Sequence, residues 1–382
     1  MTTTSSPSSA APLRLFEPPF DDETARRVAE VLKTGQVMQG SQVAALEAEV
    51  AKYLQVPDPE QVVATSSGYT ALELALATTP SSGYKVLVPG LTMVATIAAV
   101  VRAGLVPKIV DVGPDLQLSA EIAREALEDD VGGIVAVDYG GRQPDMRALQ
   151  ELCREKDLMF WEDAAHAFGS MSGGARAGEL SDLACFSLHP IKPLPALGGG
   201  LIVNNIESQP YLHVKPRRAR YYGIQDREGP FYNVKHLGIN GYMTDVSATV
   251  ARQFLPRIGE LNAKRNYLGH TYNRLLGETG LEEAFRPLLW DGGSTYHLYT
   301  VICGPDVKRR EVHERLRAQG IETGYHYIPL HHFGACKGFK KGPTPNLDLY
   351  GPRLLTLPCH QNMTGDDVAR VIEALKGALK SP

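Results

Sequence analysis

The chain has 382 residues, which is long for one hydrophobic core and sufficient for two domains, since single cores stop growing at about 250–300 residues. Its 39 basic and 43 acidic residues give a formal charge of −4, which argues against a protein that binds nucleic acid through phosphate contacts. A hydrophobic content of 43% and a charged content of 21% are typical of a globular protein.

The sequence predicts neither a membrane span nor a secretory signal. The longest uncharged stretch, residues 86–101, is interrupted by Pro89-Gly90 and is shorter than the roughly 20 residues that a bilayer requires. The opening residues, MTTTSSPSSAAP, lack the basic and apolar regions of a signal peptide. Five scattered cysteines match neither a zinc site nor a disulfide framework. We therefore expect a cytoplasmic protein without a metal, with a disordered tail over residues 1–14.

Two amphipathic helices are predicted after residue 21, separated by a break at Gly40. A series of short apolar runs then alternates with helical segments. These runs are residues 62–64, 85–88, 108–112, 132–138, 157–163, 183–188 and 199–205. Nearly continuous apolar strands that alternate with helices indicate an α/β fold, in which helices cover both faces of a mostly parallel sheet.

The last third of the chain predicts a smaller α+β domain. Residues 245–279 have a helical pattern with a break at Pro256, after which strand and helix patterns alternate again. We expect a large domain over residues 15–255 and a small one over residues 256–382. The later segments are TYHLYTVIC, VHERLRAQ, GYHYIPLHH, RLLTLP and DDVARVIEALKGALK.

Chemically active side chains are expected just after the strands, because ligands bind at the carboxyl ends of a parallel sheet. FSLHPIK (186–192) places Lys192 in a proline-rich loop after a strand. A lysine there can form a Schiff base with an aldehyde if burial lowers its pKa. Taken alone, such a lysine is more often a solvated surface charge.

Two further segments place polar groups after strands. WEDAAHAFG (161–169) puts Asp163 where it can pair with a pyridinium nitrogen, or simply cap the next helix. ATSSGYTALELAL (64–76) puts Ser66, Ser67 and Gly68 at a helix start, which suits a phosphate or an ordinary N-cap. A phosphate-binding helix start, a carboxylate and a lysine occur in this order along the chain. These are the groups that pyridoxal 5′-phosphate requires.

The sequence resembles the DegT/StrS-type, fold-type I pyridoxal-phosphate enzymes, best known as nucleotide-sugar aminotransferases, over nearly its full length. Besides the segments above, the matching stretches are LKTGQVMQGSQVAALEAEVAKYL, VLVPGLTMVATIAAVVRAGLVPKIVDV, VDYGGRQPDM, LGINGYMTD, HYIPLHH and RLLTLPCHQNMT. The resemblance implies a fold-type I transferase with pyridoxal phosphate as its cofactor.

The resemblance also implies a role for individual residues. Lys192 would hold the cofactor as a Schiff base and move the proton during catalysis, while Asp163 would pair with the ring nitrogen. The phosphate would be bound by Ser187, by the amides of Gly68 and Tyr69, and by Asn240 of the partner subunit in a homodimer. Ala165 and Met93 would pack on the two ring faces, with His166 near the phenolic oxygen.

Three positions depart from the family pattern. Tyr69 stands where a small hydroxyl residue is usual, Met93 where an aromatic commonly stacks, and Tyr242 where an arginine is often found. Candidate substrate contacts are Arg217, Arg218, Arg220, Tyr242, His326, Tyr327 and His331, although surface charge for the arginines and a core position for one histidine explain them about as well.

The expected function is amino transfer from an amino acid, L-glutamate or L-glutamine, to a ketone on a sugar nucleotide, aminocyclitol precursor or similar polyol. Its expected partners are these small molecules and a second copy of the chain, without nucleic acid or membrane. One alternative is dehydration or elimination on a related ring, although family members that dehydrate carry histidine where this chain has Lys192. The other is a non-catalytic, cofactor-binding regulator.

Overall fold

The structure is a computed structural model that describes residues 11–79, 81–206, 214–290 and 293–379. The α-helices of these ranges are α1 (Asp22–Thr34), α2 (Ser41–Leu54), α3 (Gly68–Thr78), α4 (Val94–Arg102), α5 (Ala120–Glu125), α6 (Met146–Lys156), α7 (Val214–Ala219), α8 (Asp245–Phe254), α9 (Ile258–Glu278), α10 (Arg309–Ala318), α11 (Pro345–Tyr350) and α12 (Gly365–Leu379). None of these helices has the length and apolar character needed to cross a membrane.

The strands form one large sheet and three small ones. The large sheet has the order β1-β9-β8-β5-β4-β2-β3-β14. Its strands are β1 (Val62–Thr65), β2 (Lys85–Pro89), β3 (Val106–Val110), β4 (Val131–Val137), β5 (Met159–Asp163), β8 (Leu183–Ser187), β9 (Gly200–Asn204) and β14 (Lys340–Lys341). The small sheets contain β6 (Met171–Ser172), β7 (Ala175–Arg176), β10 (Ile224–Glu228), β11 (Phe231–Val234), β12 (Phe285–Pro287), β13 (Tyr299–Cys303) and β15 (Leu354–Leu357).

The predicted α/β fold with a mostly parallel sheet is confirmed. Every residue of β4 is buried, which explains why the central strands read as continuous apolar runs. The run at 199–205 differs from the pattern, because β9 is antiparallel to both β8 and β1. As a result, the carboxyl ends of β1, β2, β4, β5 and β8 and the start of β9 meet at one edge of the sheet.

The C-terminal part packs on this framework and joins the chain's first described residues. The sheet β12-β13-β15 shares a hydrophobic core with α9, α10 and α12. Leu13 is buried in the same core and pairs with Ile321, although it lies in the predicted tail of residues 1–14. Leu13 therefore belongs to the folded part of the chain, because a leucine that buries its side chain against a core is held there. Residues 1–10 lie outside the described part of the chain.

The segment GYHYIPLHH (324–332) does not form the strand expected from its place in the alternating pattern. It runs as an irregular loop that ends in a short 3-10 helix at Leu330–His332. Pro329 has no N–H to give to a strand ladder, and the Leu330 N–H donates instead to the carbonyl of Gly90, at 2.8 Å. The loop is thereby fastened to the sheet edge where the strands end.

Candidate active site

A cavity of about 380 Å³ opens at the carboxyl edge of the large sheet. Eight of the predicted cofactor residues line it, together with His326 and Tyr327 of the C-terminal part. The eight are Gly68, Tyr69, Met93, Asp163, Ala165, His166, Ser187 and Lys192. A larger cavity of about 710 Å³ lies beside Trp290, but no lysine lines it. Eight residues that were predicted from separate segments of the sequence therefore lie in one cleft.

One end of the cavity has the features of an anion site. Helix α3 begins at Gly68, and the side chain of Ser67 caps it by accepting from the Thr70 N–H at 3.0 Å. The first amides of a helix have no partner within it and carry its positive dipole end. A Cβ added to Gly68 would lie 2.7 Å from Cβ of Ser187, so the glycine allows the end of β8 to approach these amides closely.

Asp163 lies at the end of β5, in the depth of the cavity. Its Oδ2 accepts from the Thr96 hydroxyl at 2.7 Å, and its Oδ1 accepts from the Ala165 N–H at 3.2 Å. Burial raises the pKa of Asp163, while these two hydrogen bonds and the nearby charge of Lys192 oppose the shift. The carboxylate is oriented by its neighbours and still has capacity to accept a hydrogen bond from a cation.

Lys192 is held in the loop between β8 and β9, and its amine is buried. Burial lowers the pKa of Lys192 to about 8, with the negative charge of Asp163 acting in the opposite direction. Its Nζ lies 3.4 Å from Nε2 of His297. A buried amine that is partly neutral near physiological pH can act as a nucleophile and as a general base.

Aromatic side chains from both parts of the chain line the cavity, with His166 after β5 and with His326 and Tyr327 in the C-terminal part. Nδ1 of His166 accepts from the Gly140 N–H at 3.2 Å, and its Nε2 is 3.1 Å from the hydroxyl of Tyr327. Burial and the nearby positive charge of Lys192 hold the pKa of His166 well below its usual value. His166 is therefore neutral, with its proton on Nε2 facing Tyr327. Burial also lowers the pKa of His326, to about 4.

Among the residues that were not predicted from the sequence, Thr96 and His297 contact the two central side chains of the site. Thr96 orients Asp163 from α4, and the ring of His297 lies 4.4 Å from that of His166 while its Nε2 contacts Lys192. Thr96 is part of the apolar stretch VATIAAVV, and His297 is part of TYHLYTVIC, whose pattern predicts a strand. A polar residue inside an otherwise apolar segment was the available signal in both cases.

Arg217 and Arg220 do not reach the cavity, in contrast to the expectation that they contact the substrate. Both bind the buried carboxylate of Glu47, with Arg217 at 2.8 Å and Arg220 at 2.5 Å. Arg220 also donates to the carbonyl of Ala64, and Arg217 donates to that of Val62, at 2.8 Å. Their positive charges therefore join α7 to α2 and β1 instead of lining this cavity.

Replacing Glu47 with alanine should destabilise the fold by about 3–5 kcal/mol, because Arg220 would be left buried without its counter-charge. The measurement is urea denaturation, read as a lower midpoint at an unchanged slope. Glu278→Ala removes an exposed pair with Arg274 and should cost less than about 1 kcal/mol. Equal losses of unfolding free energy in the two variants would show that the buried pair stabilises the fold no more than the exposed pair does.

Four other predicted site residues also lie outside the cavity lining. Arg218 is exposed and lines a separate cavity beside Glu73, and Asn240 is exposed next to Tyr221. Tyr242 pairs with Thr65 behind the end of β1. His331 points away and binds Asp348 at 2.8 Å, so HYIPLHH contributes only its first two residues to the cleft.

Comparison with known proteins gives a consistent result. Residues 18–376 match the model of the DegT/DnrJ/EryC1/StrS aminotransferase family. The chain is 31% identical over 360 residues to the dTDP-3-amino-3,4,6-trideoxy-alpha-D-glucose transaminase of Streptomyces venezuelae, covering 93% of this chain and 91% of the relative. It is 29% identical to a protein of Geobacillus stearothermophilus named pleiotropic regulatory protein, covering 92% and 93% of the two chains.

The fold matches that of a solved structure. The PLP form of the putative sugar aminotransferase Spr1654 from Streptococcus pneumoniae superposes with a TM-score of 0.87 at 22% identity, over 97% of this chain and 100% of that one. The fold-type I architecture expected from the sequence is thereby confirmed. Since the family model matches nearly the whole chain, this protein belongs to the DegT/DnrJ/EryC1/StrS aminotransferase family and is an aminotransferase.

Proposed function

We propose that this protein is a pyridoxal-phosphate-dependent aminotransferase that moves an amino group from L-glutamate or L-glutamine to a ketone on a sugar nucleotide, aminocyclitol precursor or similar polyol. The observation that carries the proposal is the half-buried Lys192, whose pKa desolvation lowers to about 8, in the same cleft as Asp163. The S. venezuelae relative supports a nucleotide-linked sugar as the acceptor, since its name describes an amino-sugar product.

The residues of the cleft fit the cofactor. A glycine-opened cradle at the start of α3 suits the phosphate, and the buried carboxylate of Asp163 suits the ring nitrogen. Ser187 and the amides of Gly68 and Tyr69 would bind the phosphate oxygens. Ala165 and Met93 would lie on the two faces of the ring. Met93 is 50% exposed, so a bound ligand would cover its flexible thioether side chain.

The cofactor, when bound, supplies an aldehyde for Lys192 and a protonated ring that withdraws electrons from the substrate carbon. Asp163 would keep that ring nitrogen protonated, and Thr96 holds the carboxylate in place for this role. Lys192 would accept and return the proton at the reacting carbon, since its amine is neutral in part at physiological pH. His166, fixed by Gly140 and Tyr327, would lie beside the ring's phenolic oxygen.

The pKa of Lys192 has a measurable consequence for loading of the cofactor. Only the neutral amine attacks the aldehyde, so the rate at which the apo-protein develops the band of lysine-bound cofactor should rise about tenfold per pH unit below pH 8 and level off above it. The measurement is a stopped-flow absorbance series between pH 7 and 10. A rate that still rises about tenfold per pH unit between pH 8 and pH 10, as a lysine with the ordinary pKa of 10.5 would give, would contradict the lowered pKa.

We include in the proposal a cytoplasmic homodimer in which Asn240 reaches the phosphate of the other subunit. The exposed position of Asn240, outside its own cleft, supports such a role.

Five buried, free cysteines are compatible with a reducing compartment. The division into domains at residue 256 also remains a proposal, with the segment around Leu13 packed on the small domain.

The test is a screen of amino donors and keto acceptors that follows the visible cofactor band and the 2-oxo acid released. Amino transfer requires one oxo acid per amino group moved and a spectral change when the donor alone is added. Elimination on a ring would consume the acceptor without a matching amount of oxo acid. A non-catalytic regulator, as the name of the Geobacillus relative suggests for that protein, would bind cofactor and show no change with any donor.

A further inference from the structure

A cluster of two histidines and one aspartate, outside the proposed active site, has the composition of a metal-binding site. His331 and His332 lie on the 3-10 helix after Pro329, and Asp348 lies on α11. One donor atom of each residue lies within 4.8 Å of the others. Nε2 of His331 is 2.8 Å from Oδ1 of Asp348, and Nε2 of His332 is 4.0 Å from the same oxygen. We propose that this cluster binds a divalent transition-metal ion, Zn²⁺, with one or more waters completing the coordination.

The distances and side-chain freedom suit such an ion. Zinc is bound at about 2.0–2.2 Å by histidine nitrogen and carboxylate oxygen, which places the ligand atoms of a tetrahedral site about 3.3 Å apart. One separation in the cluster is shorter than this value and another is longer. Small rotations correct both, because the side chains of His332 and Asp348 are 44% and 54% exposed. Imidazole ligands favour Zn²⁺ over Mg²⁺ or Ca²⁺, which prefer oxygen.

The surrounding structure holds the two ligand-bearing segments in place. The Leu330 N–H donates to Gly90 after β2, and the start of α11 is bound by the carboxylate of Asp111 after β3, which accepts from the Asn346 and Leu347 amides at 2.9 Å each. Since β2 and β3 are adjacent parallel strands, both segments are fastened to one rigid support. Metal affinity benefits when ligands are held near their bound positions before the ion arrives.

The aspartate also has the outer contact that metal-bound carboxylates usually have. The Thr344 hydroxyl donates to Oδ2 of Asp348 at 3.1 Å, which leaves Oδ1 directed at the two histidines. Such outer hydrogen bonds orient a ligand and affect metal affinity. Lys341 also places a positive charge near Asp348, and because its side chain is exposed it can turn into solvent when an ion binds.

The test is calorimetric titration of Zn²⁺ into the untagged, cofactor-loaded full chain. We expect one ion per chain, with affinity at least about tenfold weaker in His332→Ala and in the isosteric Asp348→Asn. Thr344→Val should weaken binding by about tenfold, since it removes only the outer contact. His270→Ala removes an exposed imidazole that lies on α9 and not in the cluster, so this variant should bind Zn²⁺ as the parent does.

Melting curves in the presence of EDTA will show that the variants are folded, and added Zn²⁺ should raise the melting temperature of the parent but not of His332→Ala. Equal binding by His332→Ala, Asp348→Asn and the parent would overturn the proposal. An equal loss in His270→Ala would also overturn it, because the ion would then bind exposed imidazoles without a specific site. The absence of any binding by the parent at millimolar Zn²⁺ would have the same meaning.

Discussion

Lys192→Ala is expected to abolish the visible band of lysine-bound cofactor and to lower kcat by about 10⁴-fold, because among the described residues that line the cleft none but Lys192 carries a nucleophilic amine. The cofactor should still bind, held by the start of α3 and by Asp163. Difference absorbance after gel filtration measures retained cofactor, and single-turnover assays with an amino donor measure the rate.

Two controls make this result specific. Lys376→Ala removes an exposed lysine of α12 and should leave the band and the rate unchanged. Lys192→Arg keeps a positive charge that stays protonated at every accessible pH, so it should also lack the band. If Lys192→Ala retained the band of lysine-bound cofactor, another lysine would hold the cofactor and the proposed assignment would be wrong.

Asp163→Asn is expected to lower kcat by roughly 10²–10³-fold and to weaken cofactor binding. Removing one member of a buried charge pair costs about 3–5 kcal/mol, and each 1.4 kcal/mol is a factor of ten. The amide cannot keep the ring nitrogen protonated, so the pH dependence of the cofactor band should also change. Thr96→Val, which removes one hydrogen bond to Asp163, should have a smaller effect in the same direction.

Asp111→Asn is the matched control for this substitution. Both aspartates follow parallel strands of the large sheet, and each is 6% exposed. Asp111 caps α11 instead of facing the cleft, so its variant should lose stability while keeping the cofactor band. Should Asp163→Asn keep a kcat within threefold of the parent, with an unchanged band, the charge at position 163 would have no part in the reaction.

Much of the site was predictable because it depends on local order along the chain. Gly68, Asp163, Ser187 and Lys192 each stand within a few residues of the end of an apolar strand, and parallel strands bring such ends to one edge. The helix-capping role of Ser67 was equally visible, since it needs only the residues beside it. These residues required no knowledge of which distant segments meet.

Long-range contacts placed other predicted residues outside the cleft. Arg217 and His331 were expected near the substrate, but each is bound to a distant carboxylate, Glu47 and Asp348 respectively. Nothing in an isolated arginine or histidine indicates which acid it will meet. For the same reason Thr96, 67 residues before Asp163, was missed.

By itself, the sequence determined the α/β fold, the order of its strands along the chain and the loops that carry Lys192 and Asp163. Apolar periodicity and turn residues act over a few positions, so they are readable without coordinates. Only the tertiary structure decided that β9 runs antiparallel, that His297 contacts Lys192 and that Arg220 forms an ion pair with Glu47. These outcomes depend on which distant segments pack against each other when the whole chain folds, and local sequence patterns do not specify those contacts.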